Sequence, residues 1–260
     1  MKKRLLITGG RGYIAQALAR GFKAHDVTII ERSDFDLTDQ RATAAWFKDK
    51  YFDVVIHAAI KGGRRLEEDT MDVFEDNLQM FLNLFKNKRN FGRFLNLGSG
   101  AEVGEPEDPY GFSKNIISKT ILLQPNFHNI RIFGIFDAHE LPDRFIKANI
   151  QRYINKKPME VFENKKMDFF YMEDLWRLIN YFINVEKPLK VVECCYDQAY
   201  SLAAIAGLIN MLDSHKVEIK LENGGVSADY VGTTSAENLP IEFAGLREGI
   251  LQTFNIIKNK

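Results

Sequence analysis

The chain has 260 residues, 45% of them hydrophobic, enough for one sizeable core or a core with a small lobe. Lysine plus arginine and aspartate plus glutamate both number 35, and this zero formal charge argues against a nucleic-acid binder or a polybasic membrane anchor. The first apolar run, Leu5-Leu6-Ile7-Thr8, is too short for a signal-peptide core or a membrane span. The two cysteines, Cys194 and Cys195, are adjacent in an apolar stretch and read as buried strand thiols, not as metal ligands or a redox pair. A cytoplasmic protein is expected, with no metal and no membrane partner.

Short apolar runs alternate with amphipathic stretches. Strands are expected at Leu5–Thr8, Val27–Ile30, Val54–Ala58, Phe94–Leu97 and Ile130–Phe133, all of the buried type found in parallel sheets. Helical periodicity fills the intervals: Tyr13–Phe22, Gln40–Lys50, Met71–Lys88 and Tyr110–Leu123. This alternation predicts an α/β fold with a doubly wound parallel sheet, whose strand C-termini share one ligand-binding edge. After Phe136 the rhythm loosens. A loop, helix and loop are expected over 137–164, a short strand at Met167–Tyr171 and a helix at Glu173–Val185. A buried strand at Val191–Cys195 and helices at Ser201–Leu212 and Gly245–Ile257 follow. The expected division is a nucleotide-binding domain of residues 1–136 plus about 167–196, and a small lobe of about 137–166 plus 197–260.

The run Thr8-Gly9-Gly10-Arg11-Gly12-Tyr13-Ile14-Ala15 joins the first strand to the first helix. Gly9 can take a tight turn, Gly12 lets backbone approach a pyrophosphate, and Ala15 is small enough for close helix–strand packing. The helix N-terminus then faces the phosphates with its free N–H groups and positive dipole end. Strand before and helix after make this a dinucleotide-binding turn. At the end of the second strand, Glu31 could bind both ribose hydroxyls and favour NAD, whereas Arg32, backed by Arg11, could pair with a 2′-phosphate. The balance tips slightly towards NADP. Asp36 could accept from the adenine amino group with Leu37 against the ring, and Thr38 or Asp39 could cap the next helix.

In Asp108-Pro109-Tyr110-Gly111-Phe112-Ser113-Lys114, a tyrosine and a lysine stand one helical turn apart on one face. A phenol has an ordinary pKa of about 10, and a nearby ammonium favours its phenolate. The pair can therefore move a proton near neutral pH. Asp108 caps the helix and Pro109 takes its first position. Ser99, ending an apolar strand in Leu97-Gly98-Ser99-Gly100-Ala101, is placed to be a third member.

Together these pieces resemble the extended short-chain dehydrogenase/reductase family and its NAD(P)-dependent nucleotide-sugar epimerases, dehydratases and reductases. The matching segments run from Thr8–Ala15 and Asp36-Leu37 through His57-Ala58-Ala59, Asn77, Leu97–Ala101 and the Tyr110/Lys114 pair. They continue with Arg131–Phe136, Asp168–Leu175, Tyr230–Thr234 and Gly245–Ile250. The glycine turn and Arg32–Asp39 are most similar to GDP-fucose synthase and related 4-keto-sugar reductases. The resemblance implies a Rossmann-type doubly wound sheet with a small C-terminal substrate lobe. It implies cofactor contacts from Gly9, Arg11, Gly12, Tyr13, Ile14, Glu31, Arg32, Asp36, Leu37, His57, Ala58, Ala59 and Lys114. It further implies Tyr110 as proton donor or acceptor, Lys114 lowering its pKa and holding the nicotinamide ribose, and Ser99 binding the same sugar oxygen.

The family's sugar 4,6-dehydratases carry two acidic residues directly after the serine or threonine, where this chain has Gly100 and Ala101; Glu102 fits only with a one-residue gap. Epimerising reductases carry a cysteine two residues past the serine, and Ala101 stands there. What remains is 4-keto reduction, or 4-epimerisation by transient oxidation. A non-catalytic NAD(P)-binding protein is a third reading, but such proteins commonly lack the tyrosine or lysine. Substrate contacts are expected from Ser99, Ala101, His139, Arg144 and Lys147, with an arginine or lysine on the diphosphate. The chain is short for the family, which suggests a reduced lobe. Phe74, Leu78, Phe81, Leu82 and Phe85 fit either a homodimer face or packing on the sheet.

Overall fold

The computed structural model describes residues 2–63, 67–222 and 228–259. Its central sheet has six strands in the order β2-β1-β3-β4-β5-β9. These are β1 (Arg4–Thr8), β2 (Asp26–Ile30), β3 (Phe52–His57), β4 (Phe91–Ser99), β5 (Phe127–Ile132) and, later in the chain, β9 (Val191–Cys194). Helices α1 (Tyr13–Gly21), α2 (Gln40–Phe47), α3 (Met71–Lys86) and α4 (Pro109–Leu122) fill the crossovers. β1 pairs in parallel with β2 on one side and β3 on the other, and β3 with β4. The chain order therefore reverses between β1 and β3, where such sheets open a crevice at their carboxyl edge.

Two compact units result: residues 1–131 with 183–192, and residues 132–182 with 193–260. Residues 132–136, 167–182 and 193–196, expected from sequence to belong with the nucleotide-binding domain, group with the second unit. The first unit's core joins Leu6, Val55 and Phe94 of the sheet to Phe47, Phe81, Leu84, Ile117 and Ile121 of the helices. Phe94 stacks on Phe127 at 4.7 Å and meets Phe81 edge-on at 5.9 Å, so aromatic volume fills the layer between sheet and helices. Phe81, Leu78 and Phe85 are thus spent on the sheet. Of the expected dimer face, Leu82 stays exposed, and Phe74 stacks on the exposed Phe112 at 5.2 Å.

The second unit carries short strands β6 (Ile135–Phe136), β7 (Met159–Val161), β8 (Phe170–Tyr171) and β10 (Ile219–Leu221), paired β6–β8 and β7–β10. Helices α5 (Phe145–Ile154), α6 (Met172–Asn184), α7 (Leu202–Ile209) and α8 (Gly245–Lys258) complete it. Ile146, Ile150 and Tyr153 pack with Ile205, Ile209, Ile250 and Phe254 in a core of its own. Two buried carboxylates tie the late segment down: Asp168 accepts from Gly232 N–H (2.7 Å), and Glu193 from the N–H groups of Thr233 (2.6 Å) and Thr234 (2.9 Å). Cys194 and Cys195 are free and buried, and burial raises both thiol pKa values, which keeps them unreactive. Among the described residues no helix is long and apolar enough to cross a membrane, and no group of three or more His, Cys, Asp or Glu is arranged to hold a metal.

Candidate active site

At the β1/β3 reversal lies a cavity of about 320 Å³ lined by Gly9, Arg11, Gly12, Glu31, Arg32, Asp36, Leu37, Ala58 and Ala59, with Phe35 and Met80 supplying apolar walls. Gly9 has a φ of +76°, and a Cβ there would lie 2.7 Å from the Ala59 backbone, so only glycine lets the two turns meet. Gly12 is the N-cap of α1 and brings no side chain to its N–H groups, whereas Asp39 caps α2 and Asp108 caps α4. An uncapped helix end facing a crevice suits a phosphate. At the cavity's outer end Arg11 pairs with Glu31 (2.9 Å) and Arg32 with Asp36 (2.8 Å), both arginines being more than 70% exposed. The Ser33 hydroxyl and then Arg11 hold the Glu31 carboxyl below its usual range. Asp36 is lowered first by the Thr38 N–H.

Nine of the thirteen residues expected to touch a cofactor line this cavity; Tyr13, Ile14, His57 and Lys114 do not. His57 is buried, and its Nδ1 lies 2.9 Å from Thr8 Oγ1. That hydroxyl accepts from the N–H groups of Ala58 (3.2 Å) and Ala59 (3.1 Å), so its one proton goes to Nδ1. Burial, and then the charge of Lys114, pushes the His57 pKa down to about 3. The residue is a neutral tie between β1 and β3, shaping the cavity floor rather than lining it.

The expected reacting groups lie on β4 and α4. Asp108 Oδ1 accepts the Gly111 N–H (2.7 Å) and Pro109 opens the helix, which places Tyr110 in its first turn. Gly111 lets that turn press on the Ser99 loop: a Cβ there would stand 2.7 Å from the Ala101 carbonyl. Lys114, only 4% exposed, donates from Nζ to the Leu97 carbonyl (2.6 Å), and Nζ lies 6.0 Å from the Tyr110 ring centre. Burial pulls its pKa down to about 8, against an opposing pull from Glu102. Ser99 ends β4 and its Oγ accepts the Ala101 N–H (3.2 Å). Asn77 clamps the loop after β3, accepting the Lys61 N–H (2.9 Å) and donating to the Lys61 carbonyl (3.0 Å) and to Ser113 Oγ (3.2 Å). Gly63, with φ +72°, lies against the Tyr110 ring, which a Cβ would meet at 2.7 Å. Sequence reasoning missed that contact, although two consecutive glycines after the third strand were a signal for it.

Glu102, which the sequence fitted to a dehydratase acid only with a gap, is bound up inside the protein. Its side chain is fully buried and accepts from Ser99 N–H (3.1 Å), Asn129 Nδ2 (2.5 Å) and Arg131 Nε (2.8 Å). Both oxygens are engaged inside the protein, which removes Glu102 as a dehydratase-type acid. In the second unit His139 lies 3.5 Å from Asp137, Arg144 is the exposed N-cap of α5, and Lys147 donates to the Glu140 carbonyl. The Glu140 carboxyl is buried with one oxygen unpartnered, and burial pushes its pKa up to about 8.

The sequence profile of the NAD dependent epimerase/dehydratase family matches residues 5–194. The chain belongs to this family. It is an enzyme of the epimerase/dehydratase type, similar in fold to a GDP-mannoheptose C4 reductase from Campylobacter jejuni with NADP bound (14% identity, 99% of this chain and 98% of that one, TM-score 0.81). It is similar also to Bordetella bronchiseptica WbmG in complex with NAD and UDP (15%, 100% and 96%, TM-score 0.80). A third similar structure is a UDP-N-acetylglucosamine 4-epimerase from Bacillus cereus (16%, 98% and 96%, TM-score 0.79). No curated protein matches the sequence. The similarity spans 98% of the reductase chain, so the second unit is not reduced relative to that member of the epimerase/dehydratase family.

Proposed function

We propose that this enzyme reduces a nucleotide-linked 4-keto sugar with NAD(P)H, Tyr110 acting as the proton donor. The observation that carries the reading is the enclosure of Glu102: both its oxygens are bonded inside the protein, which leaves Tyr110 and Lys114 as the acid–base pair expected to act with Ser99. These suffice for proton transfer to a carbonyl oxygen but not for dehydration, which needs a further acid and base. When bound, the dinucleotide supplies the hydride. Gly9, Gly12 and the α1 N-terminus would hold its pyrophosphate, Asp36 and Leu37 its adenine, and Lys114 its ribose. Arg11 and Arg32, both exposed, favour NADP, because a 2′-phosphate can take the place of their half-buried carboxylate partners. His139, Arg144 and Lys147 are the proposed sugar and diphosphate contacts of the second unit. A homodimer through α3 and α4 and a cytoplasmic location complete the proposal.

A 4-epimerase with retained NAD needs the same three residues, so it stands as the second reading. Oxidation of NADPH and NADH by nucleotide 4-keto-6-deoxysugars tests the first. Tyr110→Phe should lower turnover by about 10²–10⁴-fold without loss of cofactor binding. Undiminished turnover in that variant would refute the mechanism. Retained NAD, with interconversion of 4-epimers and no added cofactor, would transfer it to the epimerase.

A further inference from the structure

The acid behind Ser99 has a position that catalysis by Ser99, Tyr110 and Lys114 alone does not require. A buried ionised carboxylate is costly unless paired and hydrogen-bonded. Glu102 meets that condition with three donors drawn from three places: Ser99 N–H at the end of β4, and Asn129 Nδ2 and Arg131 Nε on β5. The Ser99 contact is half of a capping box around the 3-10 turn Gly100–Glu102. Asn115, the residue after Lys114 on α4, donates to the Glu102 carbonyl (2.7 Å). Gly98 is needed beneath it, since a Cβ there would lie 2.7 Å from Glu102 Oε2.

We propose that Glu102 is a positioning residue, which fixes Ser99 through its backbone and sets the buried negative charge that keeps Lys114 in its ammonium form. This rests on the reading of Ser99, Tyr110 and Lys114 as the reacting groups. The surroundings of Lys114 leave few other sources of charge. From β4 it receives a neutral carbonyl, from β3 the neutral His57, and from its own helix the Tyr110 phenol. Glu102 sits on the turn that Asn115, the neighbour of Lys114, holds by its carbonyl (2.7 Å), and its negative charge opposes the burial of the ammonium. Arg131, 18% exposed at its side chain, pairs with the same carboxylate at 2.8 Å and partly offsets that charge.

The test is a pH titration of protein carrying ¹³C at lysine Cε, with the Lys114 resonance assigned by its loss in Lys114→Arg. The wild-type midpoint is expected near about 8. Glu102→Gln keeps the shape and removes the charge, and should lower the midpoint by about half a pH unit or more. Arg131→Gln removes the tempering cation and should raise it. An unmoved midpoint in Glu102→Gln would overturn the proposal. If that variant does not fold, a rise in Arg131→Gln supports the proposal, and no rise overturns it. The titration needs no substrate, so failure of every nucleotide sugar to oxidise NAD(P)H would refute the reductase reading while leaving this result legible.

Discussion

Replacing Lys114 by methionine should stabilise the protein while abolishing its activity. Lys114 Nζ is buried, and its pKa falls from the ordinary 10.5 to about 8. At about 1.4 kcal/mol per tenfold change in proton affinity, holding the ammonium there costs about 3 kcal/mol at pH 7. Methionine fills similar volume without charge but forfeits the bond to the Leu97 carbonyl, worth about 1 kcal/mol net. Lys114→Met should therefore gain about 2 kcal/mol at pH 7. The sign follows from linkage. Between pH 8 and 10.5 the unfolded wild type holds a proton that the folded form has released, so wild-type stability rises with pH through that window. The advantage of Lys114→Met should shrink above pH 8 and reverse towards pH 10.5. Urea unfolding followed by Trp46 fluorescence in a Trp176→Phe background reads the unit that contains Lys114. A variant less stable than its parent at pH 7, or a difference that does not change with pH, would refute the reasoning.

Gly63→Ala should disturb catalysis more than stability. The left-handed backbone costs alanine about 1 kcal/mol, while the new methyl displaces the Tyr110 ring; turnover should fall with dinucleotide affinity unchanged, and equal loss of both would contradict the contact. Arg32→Ala should raise the KM for NADPH by about tenfold or more, the value of a charge-assisted bond, and leave that for NADH within a small factor. Equal effects on the two cofactors would remove Arg32 from 2′-phosphate recognition.

Much of the first unit was legible because its signals are local. Strand, glycine turn and helix stand within a dozen residues, and Asp108 and Pro109 announce the start of α4. The boundaries moved where packing decides: β4 runs on to Ser99, and the strand expected to end at Phe133 stops at Ile132, with β6 starting separately at Ile135. Strands β7 and β10 were invisible, because three residues cannot display an alternating pattern. The partners of Glu102 were hidden for a different reason. Its chemistry depends on Asn129 and Arg131, 27 and 29 residues away, and spacing to Ser99 alone carried no trace of them. Lys61–Asn77 and Gly63–Tyr110 are likewise products of the tertiary fold.

The central claim is hydride delivery to a sugar carbonyl with Tyr110 as the acid. Its most direct measurement supplies NADPH or NADH deuterated at the nicotinamide C4 together with a nucleotide 4-keto-6-deoxysugar, and analyses the product by mass spectrometry. The wild type should form a sugar heavier by one deuterium, located at C4, and Tyr110→Phe should not. A product without deuterium at C4, or equal labelling by Tyr110→Phe, would contradict it.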